Sequence, residues 1–315
     1  MLYYPFRILR CYICLNPTTI PMNAENTYRQ YSQKLSDAYP TQEAKSLVFI
    51  LLSEGFGISR TDLMMRREVE IDQERLEGWI DRLVQEEPIQ HILGKAWFAG
   101  LELKVTPDTL IPRPETEELV AWIASKERHR QQPIIVDIGT GSGCIPLALK
   151  RRMPQAMAHG LDISDKALAI AWENQQSTGL EAHFYQTDVL AQPLPIDQVD
   201  VLVSNPPYVR PSEKSLMSQN VLGHEPHSAL FIPEEDPLLF YRRIAALGKS
   251  HLVPGGALYF EINEAYGEQA LTLLHELGYV ATELRKDLQG KDRMVRAEPR
   301  SCPSGAEENN SENPS

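Results

Sequence analysis

The sequence predicts an α/β protein in which a doubly wound, mostly parallel sheet follows a small helical N-terminal domain. Three observations predict it. From residue 133 onward, strand-like apolar runs alternate with helical patterns, as they do when crossover helices cover both faces of a parallel sheet. The first of those runs ends in a glycine turn, Gly139-Thr140-Gly141-Ser142-Gly143, that opens a helix. Before residue 88 the texture is helical instead, with apolar side chains recurring at the 3.6-residue period.

A chain of 315 residues has room for two domains. Its net charge of -12 and pI near 5.2 argue against a protein held on nucleic acid, which needs clustered Lys and Arg for the phosphates. The four cysteines, Cys11, Cys14, Cys144 and Cys302, are too few and scattered for a disulfide framework, so the expected setting is the reducing cytoplasm. Cys11 and Cys14 form a lone C-x-x-C with no second pair and no nearby His, and no metal site is expected. Residues 1–21 are apolar and aromatic, but Arg7 and Arg10 interrupt them. Their uninterrupted runs fall well short of the roughly 20 residues a membrane span needs. They read as a disordered leader, and Met22 offers an alternative start.

Residues 22–87 read as a helical bundle. One helix is expected over 43–53, with Ala44, Leu47, Val48, Leu51 and Leu52 on one side and Gly55 as its stop. Another is expected over 72–86, where Asp72 can cap and Ile71 can staple onto Leu76. Pro88 ends it. Residues 88–108 read as a β-hairpin linker turning at Ala99-Gly100. The catalytic domain spans 109–298; Pro114 suits the first position of its first helix, with Glu115, Glu117 and Glu118 in the opening turn. Strands are expected over 133–138, 156–162, 183–186, 199–204, 256–262, 279–284 and 293–297. The tail, 299–315, is rich in Ser, Glu, Asn and Pro and cannot bury enough apolar surface to order itself.

The glycine turn carries the first chemical signal. A dinucleotide fingerprint reads G-x-G-x-x-G and seats a pyrophosphate on the helix N-terminus. This turn reads G-x-G-x-G with Asp137 ahead of it, and an acid there repels a pyrophosphate but suits a ligand bearing an ammonium and a sulfonium. Asp162 ends the next strand, where a carboxylate can accept both ribose hydroxyls. Asp188 follows the third strand and is placed to accept the adenine amino hydrogens. Capping of a helix or turn is the competing reading for each acid. Together they point to S-adenosylmethionine.

The second signal is Asn205-Pro206-Pro207-Tyr208, delivered by the strand over 199–204 to the carboxyl edge of the sheet. A carboxamide or ring-conjugated amine has a delocalised lone pair. It attacks poorly until acceptors hold its N–H groups and aim it. Asn205 offers a side-chain oxygen, Pro206 a carbonyl on a backbone of fixed φ, and Tyr208 a flat face for stacking. The methyl of a sulfonium is already activated, so positioning supplies much of the acceleration and no strong base is required. The pattern therefore reads as methyl transfer to a planar nitrogen, with an ordinary turn as the alternative.

With these residues in place, the sequence over 24–297 resembles the protein-(glutamine-N5) methyltransferases of peptide chain release factors, the family called HemK or PrmC. Four stretches carry the resemblance: Pro88-Ile89-Gln90-His91-Ile92-Leu93-Gly94, Thr109-Leu110-Ile111-Pro112-Arg113-Pro114-Glu115-Thr116-Glu117, the glycine turn, and Asn205 to Tyr208. Only the last two are widespread among methyltransferases. The resemblance implies a Rossmann-like class I S-adenosylmethionine-dependent enzyme with a seven-stranded, mostly parallel sheet, and an N-terminal domain that docks the release factor. It implies that Gly139, Thr140, Gly141, Ser142, Gly143, Asp162, Asp188, Leu190 and Asn205 bind the cofactor. Asn205, Pro206, Pro207 and Tyr208 would hold the glutamine of a Gly-Gly-Gln loop, with Arg113 and Glu115 in the segment bordering the active site. Two departures stand out: the leader before Met22 has no counterpart, and Leu190 occupies a position that is often aromatic. The expected partner is a release factor, with no direct nucleic acid or membrane, and the expected state is a monomer.

Two other nitrogen chemistries share the tetrad. An N6-adenine DNA methyltransferase would flip its base onto Tyr208, and an N2-guanine rRNA methyltransferase poses the same problem; the acidic balance and the absence of an extra basic domain weigh against both. A non-catalytic binding module would tolerate a damaged tetrad or turn, and both are intact.

Overall fold

A computed structural model describes residues 19–217 and 219–300, so Cys11, Cys14 and Cys302, most of the expected leader and the tail from residue 301 lie outside the described residues. The chain divides into two compact units between Leu93 and Gly94.

The first unit is built on helices Ala24–Leu35, Thr41–Phe56, Arg60–Met64, Gln73–Val84 and Ile89–Leu93. Polar caps start several of them: Asn23 accepts from the Asn26 amide at 3.1 Å, Asp72 from the Arg75 amide at 3.0 Å, and Ser59 with Asp62 forms a capping box. Leu35, Val48, Leu51, Leu52, Leu76, Ile80 and Leu83 are fully buried in one core, each contributing about 1.5–3 kcal/mol. The unit is not purely helical. Strand β1 (Thr19–Asn23) pairs antiparallel with β2 (Glu68–Asp72), so three residues assigned to the leader belong to a strand.

The second unit begins with a hairpin, β3 (Lys95–Phe98) and β4 (Leu101–Lys104). Ala99 and Gly100 both adopt positive φ, 49° and 80°, the type I′ turn that matches strand twist. The hairpin is fixed to this unit: the buried Asn174 side chain accepts from the Lys104 amide at 2.6 Å and donates to the Lys104 carbonyl at 3.0 Å. The expected linker 88–108 is therefore two things, a helix closing the first unit and a hairpin bonded into the second.

Seven strands form the central sheet: β5 (Ile134–Ile138), β6 (Met157–Asp162), β7 (His183–Gln186), β8 (Val199–Ser204), β9 (Leu252–Glu261), β10 (Tyr279–Lys286) and β11 (Asp292–Pro299). Their order is β10-β11-β9-β8-β5-β6-β7. Strands β5 to β9 run parallel, and β11 lies antiparallel between β9 and β10. Alternate residues face opposite cores: Ile135 lies in the core that holds Leu119, Ile123 and Leu149, whereas Val136 lies in the one that holds Tyr241, Ile244 and Leu274. Tyr241, on helix Leu239–His251, meets Phe260 edge to face at 5.2 Å. Strand β5 has β6 on one side and β8 on the other. The winding reverses there, and in such sheets ligands bind outside the carboxyl ends of the strands at that point. No helix among the described residues is long and apolar enough to cross a membrane.

Candidate active site

Strand β5 ends in the glycine turn, and the backbone explains the glycines. Gly139, Gly141 and Gly143 take φ values of 74°, 54° and 77°, a region that costs a side chain about 1–2 kcal/mol. A Cβ on Gly139 or Gly141 would meet nothing within 4 Å, and both glycines line the crevice. Gly143 is constrained by packing as well, since its Cβ would lie 3.0 Å from the Phe184 ring. The amides of Gly139 and Thr140 both donate to the Leu161 carbonyl, at 2.8 and 2.9 Å, which ties the turn to the end of β6. Thr140 and Ser142 are buried behind it.

Asp162, the last residue of β6, accepts from the Gly141 amide at 2.8 Å through one oxygen and from the Ser164 amide at 2.9 Å through the other. These two bonds do not exhaust the roughly four acceptor positions of a carboxylate, which leaves room for a diol. Burial raises its pKa and these backbone bonds oppose the rise. Asp188 and Leu190 line the same crevice. The Asp188 carboxylate accepts from the Leu190 amide at 2.9 Å, and the Leu190 side chain is 41% exposed.

Asp137 is fully buried, and neither carboxylate oxygen has a partner. Burial pushes its carboxyl up to about 7, with the neighbouring Thr140 hydroxyl opposing the rise and the Asp162 charge adding to it. An orphaned carboxylate behind a crevice suits a cationic ligand, because the ligand's charge offsets a desolvation cost the protein otherwise bears alone. Among the described residues no group of three or more His, Cys, Asp or Glu is placed to hold a metal ion.

Strand β8 brings Asn205, Pro206 and Pro207 to the same crevice. The strand end is fastened to β5 by the Ser204 hydroxyl, which donates to the Ile138 carbonyl at 2.7 Å, so the two turns hold a fixed spacing. Asn205 Nδ2 donates to Thr116 Oγ1 at 3.3 Å. Tyr208 does not line the crevice; it packs on the core beneath, its hydroxyl 3.5 Å from Glu261 Oε1 and its carbonyl accepting from Asn263 Nδ2 at 3.3 Å. Burial raises the Tyr208 pKa.

Two acids that sequence reasoning gave no role occupy this neighbourhood. Glu261, the last residue of β9, is buried and accepts the Thr116 hydroxyl at 2.6 Å. Glu225 is buried and paired with Arg113 at 2.6 Å; desolvation raises its pKa and Arg113 opposes the rise. The pair anchors the segment around 224–230, whose Pro226, Ser228 and Ala229 line the same crevice as the glycine turn. Glu115 is half-buried in the first turn of helix Pro114–Glu127, close enough to Glu261 to raise its pKa.

An antiparallel strand between β9 and β10, and a crevice where the winding reverses at β5 and β8, are the plan of the class I methyltransferases; the protein is an S-adenosylmethionine-dependent methyltransferase. Family models agree, with residues 116–229 matching the methyltransferase small domain and residues 26–94 the PrmC N-terminal domain. The release factor glutamine methyltransferase of Bacteroides thetaiotaomicron is 44% identical over 269 residues, 84% of this chain and 96% of that protein. That of Flavobacterium psychrophilum is 40% identical over 87% of this chain and 99% of its own length, and that of Streptococcus pneumoniae 37% over 81% and 91%. The chain belongs to the release factor glutamine methyltransferase family.

Proposed function

We propose that the protein transfers a methyl group from S-adenosylmethionine to the side-chain amide nitrogen, N5, of the glutamine in the Gly-Gly-Gln motif of peptide chain release factors. It would thereby modulate translation termination in the cytoplasm. The observation that carries the proposal is the acceptor pair of Asn205 and Pro206 at the crevice, held to the glycine turn through Ser204 and Ile138.

When bound, the cofactor would supply an electrophilic methyl on a sulfonium, with sulfur as the leaving group that would keep the C–S electron pair as the amide nitrogen takes the methyl. Asp162 would hold the ribose hydroxyls through its remaining acceptor capacity, and Gly139 and Gly141 would let the cofactor approach the backbone. Thr140, Ser142 and Gly143 shape the turn. Asp188 receives the adenine amine and Leu190 packs on the ring. Asp137 supplies the negative charge behind the turn. Asn205 Oδ1 and the Pro206 carbonyl accept the two amide N–H groups, leaving the lone pair directed at the methyl. The product nitrogen loses its extra proton to water. Pro207 and Tyr208 fix the floor of this subsite, and the Arg113–Glu225 pair, with Glu115 beside it, borders the path of the substrate loop.

Purified protein is expected to move a tritiated methyl from the cofactor to a release factor, and not to one whose Gly-Gly-Gln glutamine is replaced by alanine. Transfer to DNA or RNA with release factor left unlabelled would refute the proposal.

A further inference from the structure

Asn205 can serve as an acceptor only if its carboxamide presents oxygen, not nitrogen, to the substrate. The two ends of a carboxamide have nearly the same shape, so packing alone does not choose between them. What chooses is the polarity of the hydrogen bond on the far side.

That bond is the start of a short buried chain. Asn205 Nδ2 meets Thr116 Oγ1 at 3.3 Å, and the Thr116 hydroxyl meets Glu261 Oε2 at 2.6 Å. Thr116 and Glu261 are 3% and 1% exposed, so water does not compete for either bond. An ionised carboxylate can only accept. When Glu261 is ionised, Thr116 must therefore spend its single proton on it, and the 2.6 Å distance is that of a charge-assisted bond. The hydroxyl oxygen is then left with lone pairs only. The one end of Asn205 that can face it is the NH2, and Oδ1 is turned to the crevice.

The elements that carry the chain are far apart in sequence but rigidly joined. Thr116 sits in the first turn of helix Pro114–Glu127, Asn205 follows β8, and Glu261 ends β9, which is paired with β8 through Ser204 and Phe260.

We infer that Thr116 and Glu261 are positioning residues that fix the orientation of the Asn205 carboxamide and so make it an acceptor for the substrate amide. The inference rests on the acceptor role given to Asn205 above. Neither side chain touches the substrate.

The test compares Thr116→Val, which keeps the shape and removes the hydroxyl, with Thr116→Ser, which keeps the hydroxyl. Steady-state methylation of a release factor and cofactor binding by calorimetry are measured for both. Thr116→Val is expected to lower kcat about 10- to 100-fold, the scale of a misoriented reacting group, while the KM for release factor and the Kd for S-adenosylmethionine change less than about threefold, under about 0.7 kcal/mol. Thr116→Ser restores most of kcat. If Thr116→Val keeps the wild-type kcat, if Thr116→Ser fails as badly as Thr116→Val, or if the loss falls on cofactor binding, the inference is overturned with the proposed function intact. A wild-type protein that leaves release factor unmethylated overturns the proposed function, and this inference with it.

Discussion

Replacing Asp137 by asparagine should make the protein without its cofactor more stable and its cofactor complex weaker. Asp137 is fully buried with both carboxylate oxygens unpartnered, and burial pushes its carboxyl up to about 7. In the unfolded chain the group titrates near 4. Below that pH it is neutral in both states and adds no burden. As pH rises past 4, the unfolded chain ionises first and folding becomes progressively less favourable, until the carboxyl ionises in the folded protein too, near 7. A shift of about three units corresponds to about 4 kcal/mol of burden at pH 8. Asparagine removes the charge but leaves a buried amide without partners, which costs about 1–3 kcal/mol. The net expectation is a gain of about 1–3 kcal/mol at pH 8, or roughly 2–12 °C in melting temperature for a domain of this size. The gain should vanish by pH 5. The Kd for S-adenosylmethionine should rise about 10- to 100-fold, the loss of one charged interaction. Melting curves of both proteins from pH 5 to 8.5, with and without cofactor, decide the matter. An Asp137→Asn variant that is no more stable than wild type at pH 8, or that binds the cofactor equally well, would refute the assignment of Asp137 as a stored charge awaiting a cationic ligand.

Glu261 is pushed up to about 7 by burial and Glu115, against Thr116, Arg293 and Tyr208; only its ionised form fixes Asn205, so kcat at saturating cofactor should fall as pH drops through about 7. Glu261→Gln should flatten that acid limb, and a variant that keeps it would show that another group titrates. Gly160→Ala would place a Cβ 2.6 Å from Thr140 Oγ1 and 2.7 Å from the Phe184 ring, an overpacking worth about 1–3 kcal/mol; isothermal titration should register weaker cofactor binding, because Thr140 belongs to the turn. In the first unit, Gly55→Ala would set a Cβ 2.2 Å from the buried Trp79 ring, and urea unfolding should record a loss of similar size, with unchanged cofactor affinity.

The catalytic sheet was legible because its strands are short, apolar and punctuated. The runs over 183–186 and 199–204 coincide with β7 and β8. The strand expected over 256–262 instead begins at Leu252, because Val199 pairs with Leu252 and Val201 with Ala257, so the intervening Pro254 and Gly255 sit in an irregularity, not in a turn before the strand. The pair β1 and β2 was hidden: its partners are 45 or more positions apart in sequence, and Glu68-Val69-Glu70-Ile71-Asp72 buries only Ile71, too weak an alternation to stand out from a helical neighbourhood. The glycine turn, Asp162 and Asn205 could be found because each is tied to a strand end. Glu225 and Glu261 could not, since an acid in sequence reads as solvated surface, and only the fold brings Arg113 or Thr116 to it across 112 or 145 residues.

One small feature governs how the crevice is bordered. Val209 and Phe231 form a parallel bridge, the Val209 amide donating to the Leu230 carbonyl at 2.9 Å and the Ile232 amide to the Val209 carbonyl at 3.0 Å. The chain thus leaves and re-enters the domain through a single closed neck just beyond Asn205-Pro206-Pro207-Tyr208. Because closing a longer loop costs only about 0.6 kcal/mol per doubling of its length, the part of the excursion ahead of Glu225 can be lengthened or shortened with little strain on Asn205, whereas Glu225 is paired with Arg113 and Pro226, Ser228 and Ala229 line the crevice. The reaction geometry and the outer part of that excursion are in this sense separate modules, free to change on different schedules.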